Sequence, residues 1–227
     1  MIKRLFDIAL ALVGIVVFLI PMVVCAVLVK LTSKGPIIFS QERMGLNFKP
    51  FRIFKFRSMV VNAPSLGAQV TVDRDPRITG IGRVMRKTKL DELPQLFNVL
   101  FGDMSFVGPR PEVQKYVDMF REDYKVLLSV RPGITGLDSI AFRHEEDILA
   151  KSSDPQAAYI DEVAPAKIKL AKQYVAKSSV LFDIKLLWLT IVTVLGVGGG
   201  SDVESSSGSA SGDSADSSAA PTSGSAP

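Results

Sequence analysis

The chain has 227 residues, with 27 Lys or Arg against 23 Asp or Glu, one cysteine and one histidine. A lone cysteine excludes an intrachain disulfide and a thiolate zinc cluster, and a lone histidine argues against a His-based metal site or a Ser-His-Asp triad. Asp202, Glu204, Asp213 and Asp216 all lie in a tail with no basic residue, so residues 1–200 hold 19 acids against 27 bases, a net of +8 that suits phospholipid, nucleic acid or phosphorylated substrates.

The first element is an apolar run, Ile8 to Val29, "IALALVGIVVFLIPMVVCAVLV". As a helix it would be ~33 Å long, enough for a ~30 Å hydrocarbon core. It exceeds the ~7–15-residue core of a secretory leader and no small-x-small site follows, so it is expected to be retained as an anchor. Pro21 inside the run removes a helical hydrogen bond and predicts a bend. Lys3 and Arg4 precede the run while Lys30 and Lys34 follow it. A crossing helix normally carries its bases on one side, whereas a hairpin that dips into one leaflet and returns needs them on both. The residues leave open both a kinked spanning helix and this re-entrant hairpin.

Next, "GPIIFSQERMG" and "FKPFRIFKFRSM" alternate apolar and polar residues and predict two short strands joined at Gly45-Leu46-Asn47. In the second, Lys49, Arg52, Lys55 and Arg57 interleave with Phe48, Phe51, Phe54 and Phe56. Such interleaving can bind single-stranded nucleic acid. Beside an anchor it reads better as a basic surface at lipid headgroups, or as a half-buried strand with one solvated face.

A helix follows with Ile81, Val84 and Met85 as its apolar stripe. A second carries Leu93, Leu96, Phe97 and Leu100, and must start close to Asp91 because Pro94 is tolerated only in a first turn. Two adjacent acids, Asp91 and Glu92, therefore sit at a helix start. They can act as cap and dipole partner, or as a reaction centre. Two turns bear on the choice: Gly108-Pro109-Arg110-Pro111 presents a guanidinium suited to phosphate, and Arg131-Pro132-Gly133-Ile134-Thr135-Gly136 has a leading arginine and glycines that permit close backbone approach. Ser178 to Gly196 reads as an interfacial helix with Trp188 at headgroup level or as a buried core helix, and Asp183 and Lys185 argue against a second span. Glu145, Glu146 and Asp147 read as a solvated helix start, with His144 beside them in a polar-contact role.

Together, Lys3-Arg4 with Asp7, "FKFRSM", "DPRIT", "LDELPQLFNVLFGDMSFVGPRPE" and "RPGITGL" resemble the bacterial sugar transferase family, the monotopic phosphoglycosyl transferases. The resemblance implies transfer of a sugar phosphate from a nucleotide sugar, usually UDP-linked, to a polyprenyl phosphate, with release of UMP. It assigns Asp91 as nucleophile and as a ligand of Mg²⁺, and Glu92 as its assistant. It maps Arg86, Pro109 and Arg110 to the phosphates, Arg131 to the border of the nucleotide, and Lys55 and Arg57 to lipid or phosphate headgroups. Many relatives continue after "RPGITGL" with Ala-Gln-Val-Asn-Gly-Arg, whereas this chain has "DSIAFRHEEDIL", so the donor is not settled.

The resulting expectation is an α+β chain. It comprises a re-entrant helix-break-helix anchor over residues 1–34 and a small, mostly helical catalytic domain with short strands and interfacial amphipathic helices over 35–197. A disordered Ser/Gly/Ala-rich tail occupies 198–227. The implied place is the cytoplasmic face of a bacterial inner membrane, with phospholipid as a partner. Nucleic acid is disfavoured by the anchor. The alternatives are a membrane-anchored, Mg²⁺-dependent nucleotide-sugar phosphohydrolase and a non-catalytic scaffold.

Overall fold

A computed structural model describes residues 1–66, 71–72 and 75–194; the predicted tail, 198–227, lies outside the described residues. The apolar run forms two helices, α1 (Ile2–Val17) and α2 (Leu19–Thr32), bent by 62° at their break. The break falls at Phe18, three residues before the expected Pro21. The cause is still Pro21: it cannot donate to the carbonyl of Val17, its ring crowds that carbonyl, and Val17 is where α1 stops. At 16 and 14 residues the limbs are roughly 24 and 21 Å long, so no single helix is long and apolar enough to cross a membrane, and only the bent pair has that length and composition. Most of the pair's apolar side chains are exposed, Val13, Val16, Leu19, Ile20 and Leu31 among them, while Asp7, Ala11, Cys25 and Val29 are buried against the rest of the chain.

Strands β1 (Ile38–Met44) and β2 (Pro50–Phe56) pair antiparallel from Ile38 opposite Phe56 to Met44 opposite Pro50. The predicted turn between them is tight, with Asn47 and Phe48 both in the left-handed region. The strand β2 joins the two limbs to the domain. Ile53 packs with Ala11 of α1, and Phe56 packs with Cys25 and Val29 of α2.

Helix α3 (Gly80–Thr88) starts on Thr79, whose hydroxyl accepts from the Gly82 N–H. A 3₁₀ turn, Leu90–Glu92, leads into α4 (Gln95–Phe101), and β3 (Ser105–Val107) follows. Buried Asn98 fastens α4 to β2, donating to Arg52 O at 2.7 Å and accepting from Phe54 N at 2.9 Å. After α5 (Gln114–Met119) and α6 (Arg121–Leu127), β4 (Gly133–Thr135) returns parallel to β3. Short helices α7 (Leu137–Ala141), α8 (Glu145–Leu149) and α9 (Pro155–Ala158), a π turn (Tyr159–Val163), α10 (Ala164–Lys177) and α11 (Val180–Val194) complete the described chain, which is mostly helical with two small sheets.

The first helix and the last described helix, α1 and α11, meet at β3. Asp7 accepts from Ser105 Oγ at 3.0 Å and from Phe106 N at 3.1 Å. Lys3 pairs with Asp183 of α11, whose other oxygen accepts from Tyr174 at 2.7 Å, and both Lys3 and Tyr174 donate to Val107 O. Asp183, which argued against a span, is thus a buried strut. On the opposite face of α11, Leu181, Ile184, Trp188 and Ile191 are exposed, Trp188 by 68%.

Candidate active site

The acidic pair owes its position to the residues on either side of it. A 3₁₀ turn repeats every three residues, so Leu90 and Leu93 share one side, and both pack on the cluster formed by Cys25, Val29 and Met85. Asp91 and Glu92 are left facing other directions. The preceding Lys89 takes the left-handed conformation (φ 59°) that ends α3. Asp91 is not a helix cap: α4 has no side-chain cap, and Oδ1 of Asp91 is buried with no hydrogen-bond partner.

The two acids differ sharply. Glu92, 11% exposed at its side chain, accepts from Lys55 Nζ at 2.7 Å and from Arg110 Nη2 at 2.5 Å through the same oxygen. Although burial pushes its carboxyl up, the Arg110 and Lys55 cations outweigh that and hold it well below the usual carboxylate range. Asp91, 5% exposed, goes the other way. Burial pushes its carboxyl up, Lys55, Arg86 and Lys89 pull it down without hydrogen-bonding it, and neighbouring Glu92 raises it further. The net direction is upward, because burial, helped by the Glu92 charge, outweighs the pull of these cations. Burial lowers Lys55 from the ordinary lysine value, and Glu92 raises Arg110 above the ordinary arginine value.

Arg110 is presented by the expected Gly-Pro-Arg-Pro turn, and this turn is locked from below. A side chain at Gly108 would meet Arg131 O at 2.4 Å, and one at Gly133 would meet Gly108 N at 2.1 Å. The glycines of the two turns therefore let β3 and β4 approach each other. Pro109 contributes its carbonyl, which accepts from Gly133 N at 2.9 Å. The Arg110 amide donates to Asp138 Oδ2 at 3.0 Å. Asp138 is fully buried, with Oδ1 unpartnered. It stands in the segment where this chain leaves the family pattern, and sequence reasoning missed it because nothing in its spacing marks it. Just beyond the turn, Glu112 gathers the Tyr159 hydroxyl at 2.8 Å and Arg43 at 3.2 Å, fixing the turn to the helices behind it.

The other sequence-selected residues divide. Arg86 lies within electrostatic reach of Asp91, with Nη2 on Glu146 and Nε buried without a partner. The acids of α8 are thus more than a solvated start, because Glu145 pairs with Lys167 at 2.9 Å. His144 is exposed and sits 3.4 Å from Asp147. Arg57 is buried, and its Nη2 donates to the carbonyl and hydroxyl of Ser33 at 2.9 and 2.7 Å, where α2 ends. Arg131 donates from Nε to Gly102 O at 2.8 Å, at the end of α4, where Arg4 also serves the carbonyls of Val99 and Leu100. Both arginines meet carbonyls at negative helix termini, a stabilising arrangement. Neither is grouped with Asp91 and Glu92 by these contacts.

Among the described residues no three His, Cys, Asp or Glu side chains come together as a metal-binding group. Mg²⁺, which keeps several waters and takes phosphate oxygens, needs only one or two carboxylates. The unpartnered Oδ1 of Asp91 fits that requirement.

Residues 1–197 match the family model described as "Bacterial sugar transferase". The chain is 41% identical over 197 residues to the UDP-N-acetylgalactosamine-undecaprenyl-phosphate N-acetylgalactosaminephosphotransferase of Aeromonas hydrophila, covering 86% of this chain and 44% of that protein. It is 40% identical to the UDP-glucose:undecaprenyl-phosphate glucose-1-phosphate transferase of Escherichia coli K12, covering 84% and 39%. To the exopolysaccharide production protein PSS of Rhizobium leguminosarum it is 38% identical, covering 87% and 97%. The chain spans less than half the length of the first two. By the match over residues 1–197, the chain belongs to the bacterial sugar transferase family.

Proposed function

We propose that the chain transfers a sugar 1-phosphate from a UDP-linked sugar to a polyprenyl phosphate through a covalent intermediate on Asp91. In the first half, a carboxylate oxygen of Asp91 attacks the sugar-bearing phosphorus, the bond to the nucleoside phosphate oxygen breaks, and UMP leaves. In the second, an oxygen of polyprenyl phosphate attacks the same phosphorus. The aspartyl–phosphorus bond breaks, and polyprenyl-diphosphate sugar departs with Asp91 restored. Splitting one transfer into two is the general advantage of a carboxylate nucleophile. The observation that carries the reading is the unequal pair: Glu92 takes both nearby cations, and Asp91 keeps an unpartnered oxygen. Glu92 holds Lys55 and Arg110 beside the reacting phosphates, and Arg86 adds a third cation. Bound Mg²⁺, with Asp91 as its protein ligand, supplies neutralisation of the diphosphate charge.

The anchor reads as a re-entrant hairpin. Lys3, Arg4 and Asp7 at the start of α1, and Ser33 at the end of α2, all bond to the same domain. A spanning helix would separate these ends by a bilayer. The bases at both ends then share one side, which by the positive-inside tendency is the cytoplasmic face of the inner membrane. With α11 lying at the interface on its Trp188 face, Asp91 would stand where a soluble donor and a lipid acceptor meet. The named relatives use different sugars, so the test is a panel of UDP-sugars assayed for UMP release with and without polyprenyl phosphate. Acceptor-dependent UMP release from one donor supports the transferase. Acceptor-independent, continuous release of free sugar phosphate would replace it with the phosphohydrolase.

A further inference from the structure

One face of α3 serves neither the fold nor the acidic pair. Ile81 and Met85 turn onto α2, and Arg86 turns toward the acids. The remaining face carries Arg83, Val84 and Lys87, with Lys89 just past the helix, and all four are exposed. Arg83 and Lys87 are four residues apart and so share a side, with Val84, 56% exposed, next to both. The end of α2 adds Lys30 and the following turn Lys34, also exposed; Val29, beside Lys30, packs in one cluster with Met85. Lys89 reaches Asp91 electrostatically; none of the other four cations has an acidic partner among the described residues. Residues 26–41 and 76–90, which carry them, contain no Asp or Glu. Elsewhere several exposed bases pair with acids, Arg121 with Asp118, Lys125 with Glu122 and Lys172 with Asp123, whereas Lys169 of α10 stands alone without neighbouring bases of its kind.

We propose that this face docks on the anionic phospholipid headgroups of the surrounding bilayer. The inference rests on the hairpin insertion argued above and adds the chemistry of the lipid. A valine flanked by the long side chains of Arg83 and Lys87 suits the boundary, with apolar stems lying against the lipid and charged heads held at headgroup level. Helix α3 packs directly on α2, whose exposed apolar side chains enter the bilayer in the hairpin reading, and this contact keeps α3 near the interface. Clustered bases beside a membrane segment are the usual reader of anionic lipid. Four uncompensated cations, Lys30, Lys34, Arg83 and Lys87, also exceed what one acceptor phosphate needs, so the surface suits several headgroups at once. Docked there, α3 would hold the turn that follows it, and hence Asp91, at a fixed height.

The test is lipid selectivity of the full chain in nanodiscs, using spin-labelled phosphatidylglycerol and phosphatidylcholine with no donor or polyprenyl phosphate present. The unmodified chain should hold phosphatidylglycerol several-fold more strongly, and molar salt should weaken that preference. The combined Lys34→Gln/Arg83→Gln/Lys87→Gln variant should lose it with an unchanged circular dichroism spectrum. Lys115→Gln/Lys169→Gln, exposed on α5 and α10, should retain it. Equal association of both lipids with the unmodified chain overturns the proposal. So does a triple variant that keeps the lipid preference and raises only the KM for polyprenyl phosphate, which would assign the face to the acceptor. Because the measurement needs no turnover, its failure leaves the transferase reading intact, and loss of that reading leaves a positive lipid result standing.

Discussion

Glu92 and Asp91 are chain neighbours with opposite surroundings: one oxygen of Glu92 takes Lys55 at 2.7 Å and Arg110 at 2.5 Å, while Oδ1 of Asp91 is buried without any donor. A carboxylate relieved of hydrogen bonds is a better nucleophile and a worse contributor to stability. On the mechanism proposed above, that trade would place function ahead of folding at Asp91.

Asp91→Asn is expected to abolish transfer, by about 10⁴-fold or more in kcat, while raising Tm at neutral pH. The sign follows from the raised carboxyl of Asp91. A group whose pKa is higher in the folded state favours folding fully below its unfolded value and loses that contribution as pH rises through the folded value. Thermal unfolding of the metal-free chain, in chelator, at a series of pH values should show the gain of the variant shrinking toward acid pH.

Arg110→Ala should lower kcat/KM by about 10²–10³-fold, since it removes a positioned cation and leaves Lys55 alone on Glu92. Arg110→Lys should recover only part of this, because a point charge does not replace the planar fork. Asp138→Ala would leave the Arg110 amide unsatisfied, at a cost of about 1–3 kcal/mol, whereas Asp138→Asn keeps an acceptor and should be nearly silent. Steady-state kinetics paired with denaturant unfolding separates these cases.

Lys3→Met should destabilise the chain by about 3 kcal/mol, the low end for a broken buried pair because Lys3 is itself 34% exposed at its side chain. It leaves Asp183 buried on Tyr174 alone. The combined Lys3→Met/Asp183→Asn variant should be more stable than Lys3→Met, which a double-mutant cycle on the detergent-solubilised chain measures.

Single cysteines placed at Ile2 and Lys34 in a Cys25→Ser background should both be modified by an impermeant reagent from the cytoplasmic side only. Pro21→Ala restores the missing donor to Val17 and should straighten the break at Phe18, moving one of the two labels out of reach. Label on opposite faces in the unmodified hairpin would contradict re-entry.

How far the sequence could be read depended on range. The apolar run and the β1–β2 hairpin follow from local period and turn chemistry, and the structure has both. Ile81 and Met85 face inward as the stripe required, but Val84 does not: a nine-residue helix buries only one narrow side, and the other side of α3 is open. Pro21 foretold a break, though the break sits where its missing partner is. The parallel β3–β4 pair, three residues per strand, is too short for alternation to register. Lys3 and Asp183 stand 180 positions apart and Arg110 and Asp138 stand 28 apart, so their pairing had no local signal. The contacts of Arg57 with Ser33 O and of Arg131 with Gly102 O were equally hidden, since a guanidinium on a helix carbonyl and one on a phosphate look alike in a sequence.

The central claim is tested most directly by incubating the full chain with a UDP-sugar alone, quenching in acid, and sequencing its peptides by mass spectrometry. A phosphosugar mass on the peptide carrying Asp91, lost on adding polyprenyl phosphate and absent from Asp91→Asn, is the predicted result. An adduct on another residue, or full turnover without the Asp91 carboxylate, would contradict it.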